Sequence, residues 1–503
     1  MATSPGSFGS FRVMNGDERP IAAIATPIAQ SAIAVIRVTG NGSVGLLATR
    51  FSRPDALLAA AGHTLHHGVV RDREGCPLDE VLVAVYRRPR SYTGEESAEV
   101  FCHGSPAGVR LVLGALLDAG FAAAEPGEFT RRAFLNGKLD LTRAEAVNEI
   151  VCAQTSTAHA LALDRLSGRV ESAVRDVRER LVSVMARLAI QLDYPEEETG
   201  EIDVDPAPLQ AAGARCREIA ASFGRGRLFQ EGARVALAGR TNAGKSSLFN
   251  ELLQQDRSIV SEVHGTTRDY VEATIDVGGV PVRLFDTAGL RAAGEAIEEE
   301  GIRRSKAVIA AADLVLYVVD SREGVSADDL SRLDEVRTTT PAIVVMNKVD
   351  LAGATRRARP PAGDGPGEAD EDDRPPGDGP GHAEDGVAER ALPPEAPAVR
   401  VSARTGSGIG ELNDAIVAHL AGEPAAARPQ SGAVVIDSQR QHALLVRAAD
   451  AIDLALASLA GGVPADAVAV DLQEAIDAIG EITGEVASAE ILEAMFAGFC
   501  VGK

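Results

Sequence analysis

Gly239-Arg240-Thr241-Asn242-Ala243-Gly244-Lys245-Ser246 has the spacing GxxxxGK[ST], between an apolar run and a helical run that opens at Ser246-Ser247. In that context glycines let backbone N–H groups close around phosphate oxygens at a helix N-terminus. Lys245 would reach the outer phosphates, and the Ser246 hydroxyl would bind Mg²⁺. Four further elements follow in order. Gly265-Thr266-Thr267-Arg268-Asp269 offers a threonine to the metal and the terminal phosphate. Asp286-Thr287-Ala288-Gly289 places a carboxylate behind the metal and a glycine N–H at the phosphate. Asn347-Lys348-Val349-Asp350 ends in a carboxylate that can accept guanine N1–H and the 2-amino group, neither of which adenine supplies. Ser402-Ala403-Arg404 would back the guanine O6. Together they describe a guanine-nucleotide site of the P-loop GTPase class, lined by residues 242–247, Ser261, Thr266, Thr267, Asp286–Gly289, Asn347, Lys348, Asp350 and Ser402–Arg404.

Hydrolysis needs a group that orients water and a charge that offsets the transition state. In Ras-like enzymes a Gln beside the fourth residue of the Asp286–Gly289 element does the first job. Here that position is Leu290, which can do neither. Glu298, in the acidic run after it, is either a water-orienting carboxylate or part of a solvated helix face. Asn242 is either a plain loop residue or a ligand for a monovalent cation placed where an arginine finger's charge would be.

These residues need elements that hold them. Short β-rich runs (Arg234–Gly239, Val282–Asp286, Leu314–Asp320, Ala342–Asn347) alternate with helical stretches, the pattern of a doubly wound α/β domain. A last strand is predicted over Ala398–Ala403. Helical periodicity fills 140–192 and returns at 437–498, so the α/β unit reads as inserted into a discontinuous helical domain whose halves pack together. Nearer the start, Ile33–Val38 and Glu80–Tyr86 read as strands and Val109–Ala119 as a helix.

Composition narrows the class. The 503 residues are 45% hydrophobic and 24% charged, enough apolar material for several cores. Residues 1–20 lack the features of a secretory signal and read as a flexible extension. The five cysteines contain no CxxC pair, which argues against a disulfide framework or a zinc ribbon and for a reducing cytoplasm. A net charge of −23 argues against coating nucleic acid by charge alone. Residues 360–398 hold nine Pro, seven Gly and eleven acids, and read as a disordered acidic insertion.

The motifs and flanks together resemble the MnmE (TrmE) family of tRNA-modification GTPases, from about residue 21 to Lys503 apart from the insertion. The segments that carry the likeness beyond any P-loop GTPase are Ser91–Glu99 (SYTGEESAE), Pro126–Val147, Asp193–Glu198 (DYPEEE), Glu481–Ser488 (EITGEVAS) and the terminal Phe499–Lys503 (FCVGK). The resemblance implies an N-terminal α+β folate-binding and dimerisation domain over 21–133, a helical domain over 134–230 and 426–503, and a G domain over 231–425. It implies potassium at Asn242, Ser261, Val263 and Thr266, Mg²⁺ at Ser246 and Thr267, and Glu298 as a catalytic glutamate beside Lys245. It implies 5-formyltetrahydrofolate at Arg37, Glu99, Lys138 and Lys503, with Cys500 nearby as either a functional thiol or a buried small residue. It also implies a homodimer, a flavoprotein partner similar to MnmG (GidA), and modification at C5 of the wobble uridine of certain tRNAs. After Thr26-Pro27, where the family usually shows a glycine-rich stretch, this chain has Ile28-Ala29-Gln30-Ser31-Ala32.

Two other readings compete with this one. A ribosome-assembly GTPase would share the G-domain motifs but carry a basic RNA-binding module, and after Ala433 the chain is helical and acidic. A folate-binding regulator with a degenerate GTPase fits poorly with an intact Lys245, Thr267 and Asp286.

Overall fold

A computed structural model of the chain describes residues 19–193, 205–255, 271–286, 303, 306–352, 398–422 and 433–502. The chain separates into two compact units. Among the described residues no helix is long and apolar enough to cross a membrane.

The first unit comprises 1–151, 162–218 and 443–503. Its sheet uses β1 (Ile21–Ile24), β2 (Ser31–Thr39), β3 (Thr64–Arg71), β4 (Pro77–Tyr86), β5 (Ser97–Gly104) and β6 (Ala122–Ala123), in the order β3-β4-β5-β2-β1-β6. All pairs are antiparallel except β1 with β6. Alternation sorts the faces: Ile36, Val38, Val83, Val85, Val100 and Cys102 are buried in one core with Val109, Val112 and Leu116 of the Pro106–Ala119 helix. Ser105 caps that helix by accepting from Gly108 N, Pro106 opens it, and Gly120 closes it in the left-handed conformation. The expected strands Ile33–Val38 and Glu80–Tyr86 lie inside β2 and β4. The opposite face of the sheet carries Arg37 directly across from Glu99.

The same unit holds the helical segments. Arg169–Asp193 packs against Ala465–Thr483, so the two stretches of helical periodicity meet across the intervening sequence. Val174, Val177, Leu181, Val184 and Leu188 on the first helix are buried, as are Val468, Leu472 and Ile479 on the second. The last helix, Ala489–Phe496, brings Phe496 and Phe499 against Leu141 and Ala144. The tail then bridges Pro126 through Val501.

The second unit comprises 152–161 and 219–442. Its strands are β7 (Ala233–Ala238), β8 (Val271–Val277), β9 (Val280–Asp286), β10 (Leu314–Asp320), β11 (Ala342–Asn347) and β12 (Ala398–Arg400), in the order β12-β11-β10-β7-β9-β8. Every pair is parallel except β8 with β9. Both faces are covered. Val235, Leu237, Leu316, Val318 and Ile343 enter one core, and Ala236, Val315, Tyr317, Val319 and Val344 the other. That explains why these strands read as unbroken apolar runs rather than alternating ones. Two expectations need correcting at their edges. The strand predicted over Ala398–Ala403 is regular only to Arg400, because Ser402 turns back to bridge Ser407. Ala398, assigned to the acidic insertion, instead opens β12, and the rest of that segment lies outside the described residues.

Candidate nucleotide site and the tail-bound cluster

Parallel strands bring their C-terminal ends to one edge, and ligands bind where the strand order reverses. In the second unit β7 lies between β10 and β9, so the loop after Ala238 opens at that point. Gly239 has φ 128°, and a Cβ there would sit 2.2 Å from Val318 O. Gly244 has φ 97°, and a Cβ there would sit 2.2 Å from Asn347 Nδ2. Asn242 also lies in the left-handed region, at φ 64°. The Lys245–Gln255 helix starts directly after the loop, aiming its free N–H groups at the space above.

Lys245 is buried. Its Nζ donates to Gly239 O at 2.9 Å and Arg240 O at 2.8 Å, so the loop is folded around its own cation. Ser246 Oγ donates to Asp286 Oδ2 at 2.8 Å. That places a hydroxyl and a carboxylate together, the oxygen donors Mg²⁺ takes. Ser247 is exposed on the first helical turn, and Ala243 is buried.

The base-reading loop is latched to the phosphate loop. Asn347 Nδ2 donates to Ala243 O at 3.1 Å, while its Oδ1 accepts from Lys348 N at 2.8 Å and Ala403 N at 3.1 Å. Lys348 Nζ donates to Asn242 O at 2.6 Å and to Asp320 Oδ2 at 2.7 Å. Asp350 Oδ1 accepts from Ser402 Oγ at 2.7 Å. Its Oδ2 is buried and ion-paired with Arg404 Nη2 at 3.0 Å, with a lone pair to spare. A buried carboxylate oxygen with acceptor capacity left over fits a guanine edge. The Ser402 hydroxyl, with Arg404 behind it, holds Asp350 below the usual carboxylate range.

Asp320 was not among the residues singled out from the sequence. It ends β10 as Asp286 ends β9 and Asn347 ends β11, and that common position at strand C-termini was the available signal. Its carboxylate is 6% exposed and accepts from Arg322 Nη2 at 2.6 Å as well as from Lys348. The Arg322 guanidinium, then Lys348, hold it far below the usual carboxylate range. It fixes Lys348, and through Lys348 the carbonyl of Asn242.

The first unit gathers a second cluster. Arg37 donates through Nε at 3.0 Å and Nη2 at 2.8 Å to Glu99 Oε1, and through Nη1 at 3.1 Å to Gly502 O. Its guanidinium lies 5.7 Å from the Tyr92 ring centroid and 5.8 Å from that of Phe129. Gly502 has φ 93°, and a Cβ there would meet Ile24 O at 2.7 Å, so the position suits only glycine. Lys138 is exposed, and its Nζ donates to Pro89 O at 3.2 Å. Cys500 is exposed, so it is not a buried small residue. Ser261, Val263, Thr266, Thr267, Thr287, Ala288, Gly289, Leu290, Glu298 and Lys503 lie outside the described residues.

A model of the TrmE N-terminus of GTP-binding proteins matches residues 20–138, and a model of the MnmE helical domain matches 141–500. A Treponema denticola protein named tRNA modification GTPase MnmE is 40% identical over 489 residues, 96% of this chain and 98% of the relative. A Moorella thermoacetica protein of that name is 40% identical over 96% of this chain and 99% of its own length. One from Borrelia recurrentis is 38% identical over 97% and 98%. With family models matching 20–138 and 141–500 and relatives alike from end to end, the chain belongs to the MnmE family of tRNA modification GTPases.

Proposed function

We propose that this GTPase, which acts in tRNA modification, is activated by potassium and works on C5 of the wobble uridine with a one-carbon unit from 5-formyltetrahydrofolate. The observation that supports this reading most is the Arg37–Glu99–Gly502 cluster. A switch that only binds and releases has no need to thread its terminal residues into a separate sheet. A group-transfer enzyme does need a shaped pocket there. Arg37 has donors left for a carboxylate, and exposed Tyr92 offers a face for a flat heterocycle. Lys138 and Lys503 would meet the anionic end of the donor. When bound, the folate supplies the carbon; Glu99 keeps Arg37 oriented, and the tail excludes water from one side. Cys500 stays a candidate thiol beside that tail.

In the second unit Lys245 leaves the carbonyls of Gly239 and Arg240 for the phosphates when GTP enters. Ser246 and Thr267 would hold Mg²⁺. Asn242, Ser261, Val263 and Thr266 would hold potassium, which supplies the positive charge that Leu290 cannot. Glu298 is the proposed water-orienting carboxylate. The domain limits expected from the sequence, a homodimer through the N-terminal domain, a flavoprotein partner similar to MnmG and a cytoplasmic location belong to the same proposal.

The test compares steady-state GTP hydrolysis by the full chain in KCl and in NaCl. Wild type is expected to be at least tenfold faster in KCl, and Asn242→Ala to lose that difference while still binding GTP. Equal rates in the two salts for wild type would refute potassium activation.

A further inference from the structure

The loop after β4 reads Arg87-Arg88-Pro89-Arg90-Ser91-Tyr92, and its three arginines do different things. Arg87 is structural: it pairs with Glu96 and donates to the carbonyls of Leu57 and Ala60. Arg88 and Arg90 are exposed, and neither has an acidic partner among the described residues. Lys138 adds a third cation, since its Nζ is held on Pro89 O between them. The loop is braced from below. Asn136 Nδ2 donates to Thr93 O at 2.8 Å, and a Cβ on Gly94 would sit 3.3 Å from Lys138 Cγ. Tyr92 is 39% exposed, and its ring lies against the Arg37 guanidinium.

A chain of net charge −23 thus presents, on a braced loop, cations without acidic partners and an exposed aromatic ring next to the Arg37 cluster. Cations that neutralise phosphates, next to a ring on which a base can stack, are what a single-stranded RNA loop requires. We infer that Arg88 and Arg90 bind the phosphates of the tRNA anticodon loop, with Tyr92 at the rim across which the wobble base approaches the Arg37 cluster. The surface deepens the wobble-uridine reading and rests on it.

The experiment uses the full-length protein and a 17-nucleotide anticodon stem–loop with uridine at the wobble position, titrated over a range of KCl concentrations. Arg88→Ala/Arg90→Ala is expected to bind at least tenfold more weakly. Its log Kd against log salt should lose about 1.4 of slope, near 0.7 per cation on a single strand. Arg88→Lys/Arg90→Lys should keep most of the affinity. GTP hydrolysis, which uses the other unit, should not change. Should the double alanine variant fold poorly, Arg88→Gln alone is the second variant, with half the loss of slope. Unchanged affinity and slope in either variant would overturn the surface. Equal loss on a blunt RNA duplex of the same length would overturn its assignment to the loop. Failure of wild type to bind the stem–loop would instead strike at the wobble-uridine reading.

Discussion

Asp350 and Asp320 are carboxylates at the same mouth, and their neighbours give them different work. Asp350 keeps a buried oxygen with acceptor capacity, so its work is to read a base. Replacing it by Asn turns one acceptor into a donor, which opposes the guanine 2-amino group and suits the 2-oxo group of xanthine. Losing a charged hydrogen-bond acceptor costs about 1.5–3 kcal/mol, or roughly 10–150-fold in affinity. Asp350→Asn is therefore expected to bind GTP that much more weakly and xanthosine triphosphate more tightly than wild type does, read by nucleotide titration. Asp320 is satisfied by cations already, so its work is to position. Its pKa is lowered in the folded state. The stabilisation is then fully present above the unfolded carboxylate value of about 3.9 and fades as pH falls toward the folded one. Asp320→Asn should lower the calorimetric transition that GTP shifts by more at pH 6 than at pH 3. An equal shift at both would contradict the assignment.

Among the elements, the phosphate loop depends on two glycines for its shape. Gly239→Ala puts a Cβ against Val318 O, which β10 fixes in the middle of the sheet, and demands a backbone angle alanine avoids. Strain of about 1–3 kcal/mol is expected, with a lower midpoint for the same transition and weak nucleotide binding. Ala at exposed Gly410, whose Cβ would meet nothing, is the control and should change little. The strands that position this loop were legible because buried parallel strands are unbroken apolar runs ending in polar residues, and the nucleotide motifs sit at those ends. β12 was legible only to Arg400, since an apolar run cannot announce that Ser402 will turn back to Ser407. Asp320 was missed because a strand-ending Asp has no motif of its own. Its strand-end position was the one signal in the sequence; its role comes from the approach of Lys348, 28 residues later, which only the fold brings about.

For the whole molecule, the meeting of the Arg169–Asp193 and Ala465–Thr483 helices was legible as interrupted periodicity. Arg37, Glu99 and Lys138 were reached through family likeness, since each alone reads as a surface charge. Their placement depends on a register across β2 and β5 and on a tail returning from the far end of the chain. Those are contacts of long sequence separation, which periodicity does not carry. The central claim joins a nucleotide site and a folded-back tail to a change made on tRNA. It is tested most directly by mass spectrometry of tRNA nucleosides from a strain lacking this gene, complemented with wild type or with Asp350→Asn. The account predicts that aminomethyl-type groups at C5 of the wobble uridine disappear in the deletion, return with wild type and stay absent with the variant. Wobble uridines unchanged by the deletion would contradict it.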